Sequence, residues 1–236
     1  MNGDLYKIEN PMELTWAELM NKKEEIIQWL SNNWITNYHV NDNLTVDIDG
    51  SVYLDKTNLT RIPIQFGVVT GSFDISCNKI TSLKGCPHTI GKSFNCSSNL
   101  IESLEYGPKN VGEDYDCKEN KLFSLNGCPE VINGVFRCGF NKLIDLSTGP
   151  IKATIYRCEG NDIDSLKDFK CEILEEFYHK KDFVSGSLKI KDYEQYYNDS
   201  EQLILTGKDL AAIQSYQALS KTIPNKNITI ENKKKI

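Results

Sequence analysis

Four cysteines recur at nearly constant spacing, and their thiols are the groups best placed for chemistry. They are Cys96, Cys117, Cys138 and Cys158. Neighbouring strands of a sheet lie about 4.8 Å apart, so a column of thiols could form a disulfide ladder or bind a metal ion. The sequence has no Cys-x-x-Cys pair of the kind that zinc sites use, and cysteine readily fills a buried core. We therefore predict a core role, with no metal.

The remaining candidates for catalysis do not form a recognisable set. No histidine is paired by spacing with a nucleophile and an orienting acid, and no phosphate-binding glycine loop is present. The histidines are His39, His88 and His179. The glycines Gly85, Gly127 and Gly149 recur with the chain's internal period and are interpreted as turn positions. We predict that the chain is not an enzyme and needs no cofactor. Among the other thiols, Cys77 and Cys171 are expected to be the accessible ones.

Composition narrows the class of protein. The 236 residues carry a formal net charge of −6, with a sequence pI near 5.2 and 25% charged residues. Binders of nucleic acid or of anionic membranes normally show a basic surplus, so neither partner is expected. No apolar run reaches the roughly 18 residues of a membrane span, and the N-terminus is polar. We expect a folded cytoplasmic protein with reduced thiols.

The elements that position the cysteines come from an internal repeat. An asparagine recurs in steps of 21, 21, 21, 21 and 20 residues, with fixed neighbours. The asparagine column is Thr57, Asn78, Asn99, Asn120, Asn141 and Asn161. Five residues earlier lies an aromatic column, Val52, Phe73, Phe94, Tyr115, Phe136 and Tyr156. Three residues earlier lies the column of Leu54, Ile75 and the four cysteines. Such a period is the signature of a stacked repeat protein.

Each repeat is predicted to hold one short strand. Aromatic-x-Cys is a period-two pattern, which points both side chains to one buried face. The asparagine that follows can satisfy backbone groups left unpaired where the chain turns. Stacked repeats would then form an internal asparagine ladder. Because one repeat cannot bury its own apolar face, the stack should be stable only collectively.

These motifs resemble the leucine-rich repeat, in forms such as Phe73-x-Ile75-x-x-Asn78-x-Ile80 and Phe94-x-Cys96-x-x-Asn99-x-Ile101. The likeness spans about residues 34–184 and is closest to the short repeats of bacterial and tailed-phage proteins. It implies an α/β-type solenoid with short parallel β-strands, a mostly irregular convex side, a helical N-terminal cap and a mixed C-terminal cap. For function it implies a phage protein that binds and inhibits or redirects a host protein. The alternative is a structural or adhesin component of a virion.

The ends of the array are predicted from local signals. Residues 1–48 form an N-terminal cap with a capping box at Thr15 and Glu18 and a lead-in strand. The apolar face of its helix is Trp16, Leu19, Met20, Ile26, Ile27 and Leu30. Residues 49–185 hold six repeats and a degenerate seventh, marked by Phe177, His179, Asp182 and Val184. Residues 186–236 form a closing segment with a helix near 207–221 and a frayed end.

The outward positions of the strands define the predicted partner site. If aromatic and cysteine side chains point inward, the residues between them point outward. Apolar residues beside arginine are typical of interaction hot spots, and this combination occurs in the fifth and sixth repeats. The predicted partner-binding residues are Arg137, Arg157, Val135, Ile155, Phe140, Asp116, Asp114 and Tyr178. The alternative is that the chain's own C-terminal segment covers this patch.

Overall fold

The aromatic and cysteine columns face inward in a stack of parallel strands. Phe73, Phe94, Tyr115 and Phe136 are fully buried, and each lies beside the next in the strand register. The predicted solenoid of about six turns of parallel strands is confirmed. This computed structural model describes residues 14–166, 168–180, 191–200 and 202–222.

The strands form two sheets. The smaller sheet, in spatial order, is β1 (Tyr38–Val40), β2 (Val46–Ile48), β4 (Phe66–Val69), β6 (Thr89–Ile90) and β8 (Asn110–Val111). The larger sheet, in spatial order, is β13 (Gln202–Thr206), β12 (Glu172–Lys180), β11 (Lys152–Arg157), β10 (Val131–Arg137), β9 (Tyr115–Asp116), β7 (Phe94–Asn95), β5 (Phe73–Asp74) and β3 (Val52–Tyr53). The helices are α1 (Trp16–Asn32), α2 (Gly207–Thr222) and a 3₁₀ helix (Lys191–Tyr196).

The five-stranded sheet was not anticipated from the repeat. Its strand β2, expected as a lead-in to the array, pairs in parallel with β4 and so belongs to the first turn. From β10 onward the two short strands of a turn merge into one long strand. Between β10 and β11 the register shifts after Ile132 and Ala153. The last step of the repeat is 20 residues instead of 21. The register shift shows that the residue is missing at the corner between the two sheets.

The inward aromatic rings form a continuous stack. Neighbouring ring centroids from Phe66 to Phe177 are 5.0–6.3 Å apart. Such contacts add to the hydrophobic effect of burying each ring. The stack therefore links every turn to the next through the core.

Tyrosine and phenylalanine in this stack have different neighbours. A β-carbon added at Gly149 would lie 2.7 Å from Tyr156 Oη, and one added at Gly107 would lie 3.5 Å from Tyr115 Oη. In the repeats that lead to Phe94 and Phe136, the equivalent position is a cysteine, Cys86 or Cys128. Glycine thus leaves space for the hydroxyl of tyrosine. Where the ring is phenylalanine, which has no hydroxyl, cysteine fills that space. Gly149 was interpreted as a turn position, but this contact explains it better.

The predicted asparagine ladder is present. Asn120 Nδ2 donates to the carbonyls of Cys117 and Lys118 in its own turn and to Cys96 of the preceding turn, at 3.0–3.2 Å. Its Oδ1 accepts from Ile101 N at 3.0 Å. The other ladder asparagines repeat the bond from the preceding turn, with the donors Leu59, Ile80, Leu122 and Leu143. One side chain therefore holds two turns in register.

The residue before each ladder position adopts a left-handed backbone. Lys56, Cys77, Ser98, Glu119 and Phe140 have φ of 53–55°, and Gly160 completes the column at 66°. This conformation favours glycine because a β-carbon costs about 1–2 kcal/mol there. The ladder enforces it in every turn. Gly160 is the only sequence signal of this column, so the pattern was missed.

Helix α1 begins at the predicted capping box. Thr15 and Glu18 make both reciprocal bonds of the box. Ile26 and Leu30 are buried, and the Trp29 ring lies 6.4 Å from that of Phe66. The predicted apolar face is wrong for Trp16, Met20 and Ile27, which are exposed. Leu14 and Leu19 pack against the core but are only half-buried, so the fully buried contacts of the helix lie in its C-terminal half.

The C-terminal elements pack at the last turn. Phe177 and His179 are buried in the predicted aromatic and cysteine columns. Strand β13 pairs antiparallel with β12, and α2 spans Gly207–Thr222, close to the prediction. The predicted repeat positions Asp182 and Val184, and the predicted frayed end from 225 to 236, lie outside the described residues. In the described ranges no helix is long and apolar enough to cross a bilayer.

Candidate binding surface

The outward face of the eight-stranded sheet carries a shallow groove. It has a volume of about 260 Å³. We call it the outer groove, and its lining residues are Tyr53, Ser72, Phe73, Asp74, Ser93, Phe94, Asn95, Asp114, Asp116 and Arg137. Three of the eight predicted partner-binding residues, Asp114, Asp116 and Arg137, therefore come together here.

The central side chains of the outer groove are held by their own turns. Oδ1 of Asp74, Asn95 and Asp116 accepts the backbone N–H two residues later, at 2.8–3.1 Å. Asn95 Nδ2 also donates to Asp74 Oδ2 at 3.0 Å. These bonds satisfy backbone donors and fix the rotamers at the same time. The floor of the groove is thus preorganised.

Two carboxyl groups on this face are partly withdrawn from water. Asp116 has a side chain that is 15% exposed, and its burial raises its pKa, although Lys118 and Arg137 oppose the rise. Burial likewise raises the pKa of Glu159. Desolvation disfavours a charge, so both groups would gain from a cationic partner.

The predicted arginine anchors are already paired within the chain. Arg137 Nη1 lies 2.8 Å from Asp114 Oδ2, and Asp114 Oδ1 accepts the N–H of Val135 at 2.8 Å. Arg157 lies 3.6 Å from Glu176 and stacks 5.3 Å from the ring centroid of Tyr178. The guanidinium groups of Arg137 and Arg157 therefore add little net positive charge to the surface.

The predicted apolar part of the patch is divided. Val135 and Ile155 face each other across β10 and β11 and are half-buried. Phe140 is 40% exposed and occupies one of the left-handed positions that precede the ladder asparagines, where its ring packs over Gly160. Phe140 is therefore set apart from the outer groove, while Tyr178 continues the outward column on β12 beside Arg157.

The described part of the C-terminal segment extends the sheet beside this patch. Strand β13 continues the sheet in its own plane, and Leu210 of α2 and Tyr193 of the 3₁₀ helix are buried. Gln214 Nε2 donates to the carbonyl of Phe169 in the core at 3.3 Å. Arg157 keeps 42% of its side chain exposed. Of the predicted patch, β13 contacts Tyr178, which pairs with Ile204 and is hydrogen-bonded by Gln202.

The cysteine column fills the core. Cys117, Cys138 and Cys158 are buried, and each Sγ lies 3.4–3.6 Å from a carbonyl of the next strand. Burial raises the pKa of all three thiols, which opposes thiolate chemistry. Cys77 is exposed, whereas Cys171 is half-buried and burial raises its pKa to about 12.

The histidines occupy separate environments. His39 and His88 are exposed. His179 is buried, its Nδ1 lies 2.7 Å from the hydroxyl of Tyr197, and desolvation lowers its pKa to about 4. In the described part of the chain, no three His, Cys, Asp or Glu side chains are grouped to hold a metal ion.

The surface has one residue whose importance the sequence did not reveal. Trp34 is 92% exposed and lines a second concavity together with Tyr53. The sequence does not single it out, because the exposure of one tryptophan leaves no periodic signal.

Comparison with known proteins identifies no relative. No protein-family model, curated protein or solved structure matches the chain. The functional argument therefore depends on the fold and on the geometry of its surfaces.

Proposed function

We propose that this protein is a non-enzymatic module that binds another protein through the outward face of its eight-stranded sheet. The observation that carries the proposal is the outer groove, in which Asp74, Asn95 and Asp116 are held in place by hydrogen bonds to their own turns. A surface that is rigid before binding loses little conformational entropy on association. Stacked-strand scaffolds of this kind present extended surfaces suited to that task.

The charge of the groove defines the partner in chemical terms. Asp74, Asp114 and Asp116 outnumber the single cation Arg137 among its lining residues. Arg137 is paired with Asp114, and Lys118, outside the lining, lies 3.9 Å from Asp116, so the three aspartates still leave the groove with a net negative charge. Electrostatic complementarity therefore favours a basic patch on the partner. In line with the sequence resemblance, we propose that the partner is a protein of a bacterial host and that the module blocks it.

Affinity purification with charge-neutral variants tests this function. Asp74→Asn combined with Asp116→Asn retains the Oδ1 acceptors but removes two charges. The matched control is Glu102→Gln with Glu105→Gln, two exposed residues in the loop after a strand. We expect the groove variant to capture the partner at least about tenfold less well, which corresponds to about 1.4 kcal/mol, with an unchanged melting temperature. Equal capture by both variants would contradict the proposal.

A further inference from the structure

The eight-stranded sheet ends at β3 with an uncovered edge. The N–H groups of Val52 and Leu54 donate to carbonyls of the β5 turn at 2.8 Å, and that of Lys56 does so at 3.1 Å. Successive residues of a strand direct their backbone groups to opposite sides. The N–H groups of Tyr53 and Asp55 therefore face away from the sheet.

Two other strands at the ends of the repeat array, β2 and β12, each gain one further antiparallel strand, so that β1 and β13 become the outer strands there. Strand β1 pairs with β2 and ends the smaller sheet, and β13 pairs with β12 at the far end of the larger one. Within the described residues, no strand lies on the outer side of β3. Uncovered edges are templates for strand addition, and peptide recognition often uses them.

A cleft of about 330 Å³ lies at this edge. We call it the edge cleft, and its lining residues are Asn33, Trp34, Ile35, Thr36, Asn37, Asp49, Gly50, Ser51 and Tyr53. Tyr53 is 63% exposed and also lines the outer groove. The edge cleft and the outer groove are thus continuous across one tyrosine.

Trp34 occupies a position that glycine would fill better. It ends α1 in a Schellman arrangement, in which Ile35 N donates to Leu30 O at 3.0 Å and Trp34 N to Ser31 O at 3.1 Å. Its φ is 58°, and glycine is usual at this position because it has no β-carbon. Its ring is also 92% exposed. A residue that is unfavourable for both backbone and solvation, at a cleft, indicates a function outside the fold.

We propose that the edge cleft binds an extended, basic segment of the partner protein, which adds as a further strand to β3. The segment places a lysine or arginine between Trp34 and Tyr53. Aromatic faces attract such cations, and Asp49 is the one charged residue among those lining the cleft. Lys56, which follows β3, pairs with Asp55 at 3.7 Å. The inference rests on the proposed function, because it names the segment through which the partner is held.

A defined peptide probes the edge cleft directly. The probe is fluorescein-labelled Val-Lys-Val-Lys-Val-Lys-Val, and the controls replace every lysine by glutamate or the central lysine by proline. We expect fluorescence anisotropy to show binding of the lysine peptide and at least about tenfold weaker binding of both controls. Amide hydrogen exchange should slow at Tyr53 and Asp55 when the lysine peptide binds. Equal binding of the glutamate peptide, or unchanged exchange at Tyr53, would overturn the proposal.

Variants distinguish a loss of binding at the edge cleft from a loss of folding. Trp34→Gly removes the ring but suits the left-handed backbone, so its melting temperature should equal or exceed that of the parent. Its affinity for the lysine peptide should fall at least about tenfold, as should that of Tyr53→Ala. The matched control is Tyr106→Gly, which removes another exposed aromatic at positive φ. Parent-like affinity of Trp34→Gly would overturn the proposal.

Two other occupants of the edge cleft would give different experimental results. If residues 1–13 of the chain fill the cleft, Tyr53 exchanges slowly in the free protein and deleting those residues speeds it. If a second copy fills it, sedimentation shows a dimer that Trp34→Gly dissociates. Either result overturns the proposal. Capture of the partner by Trp34→Gly at parent level, together with its loss in the Asp74→Asn, Asp116→Asn variant, would reject the edge cleft but keep the proposed function.

Discussion

The two ends of the eight-stranded sheet are completed differently. At the C-terminal end, β13 covers the edge of β12 while α2 and the 3₁₀ helix bury Leu210 and Tyr193. At the N-terminal end, α1 buries Ile26 and Leu30, but no described strand covers β3. Closing an apolar core and covering a sheet edge are therefore separate tasks. Helix α1 performs only the first, and the N-terminal edge at β3 has no further strand among the described residues.

The largest expected effect tests the role of α1 in closing the core. Leu30 is fully buried, so Leu30→Ala should lower the free energy of unfolding by about 2–5 kcal/mol. Trp16→Ala on the same helix should change it by less than about 0.5 kcal/mol, because Trp16 is exposed. Urea denaturation measures both. A large effect of Trp16→Ala would restore the apolar face expected from the sequence and contradict the packing described.

Acid should loosen the C-terminal end. The pKa of His179 is about 4 in the folded chain, below its ordinary 6.5, so the unfolded chain binds this proton more readily. Its contribution to stability is complete above pH 6.5 and is lost as the pH falls towards 4, by about 3 kcal/mol in total. The raised pKa of Asp116 and Glu159 acts in the opposite sense.

Comparison with a non-titrating variant isolates the histidine. In His179→Gln the extra loss of stability between pH 7 and pH 4 should disappear, as followed by chemical denaturation at each pH. Hydrogen exchange should show the loss first in β12 and β13, while the N-terminal end stays protected. An identical pH dependence of parent and variant would contradict the burial of this ring.

The middle of the stack should depend on the ladder more than the N-terminal end does. Asn120→Ala would leave the N–H of Ile101 without its partner and would remove one of the two side-chain donors to the carbonyl of Cys96, at a cost of about 1–3 kcal/mol. The side chain of Thr57, which begins the ladder, donates to Leu54 O at 2.7 Å and to Asn78 Oδ1 at 3.3 Å, two bonds against the four of Asn120, so Thr57→Ala should cost less. Thermal denaturation compares the two. Equal melting temperatures for Asn120→Ala and the parent would argue against the ladder as a source of stability.

A smaller effect is expected when the glycine that lies next to a tyrosine of the aromatic stack is replaced by the cysteine that lies next to phenylalanine. Gly107→Cys should cost about 1–3 kcal/mol by overpacking the Tyr115 hydroxyl and Leu83. Adding Tyr115→Phe should recover much of that loss, because cysteine then meets phenylalanine as it does elsewhere in the stack. A double-mutant cycle by denaturation measures the coupling. Strict additivity would show that the pairing has no energetic basis.

The sequence predicts the interior far better than the surface. The columns at Phe94, Cys96 and Asn99 repeat because every turn meets the same packing and hydrogen-bonding requirements. The second sheet escaped prediction because strands such as β6 and β8 each bury a single side chain, Ile90 and Val111, in place of the aromatic and cysteine pair of the larger sheet. The left-handed backbone before each ladder position also escaped prediction, because it occurs at residues as different as Lys56 and Phe140.

The predicted partner site illustrates the limit most clearly. Arg137 and Asp114 lie 23 residues apart and were both expected to contact a partner, yet they pair with each other at 2.8 Å. The register between turns shows that they are neighbours, but only rotamers show where the guanidinium points. Trp34 and Tyr53 are separated in the sequence by the strands β1 and β2, so their shared cleft depends on tertiary structure.

Residue-resolved amide hydrogen exchange of the free protein tests the central claim most directly. We predict that the N–H groups bonded to ladder asparagines, those of Ile80, Ile101, Leu122 and Leu143, exchange only through global unfolding. The N–H of Tyr53, at the uncovered edge, should exchange fast. Ladder amides that exchange as fast as Tyr53, or a Tyr53 amide as protected as the ladder, would contradict a locked stack whose first strand, β3, has an uncovered edge.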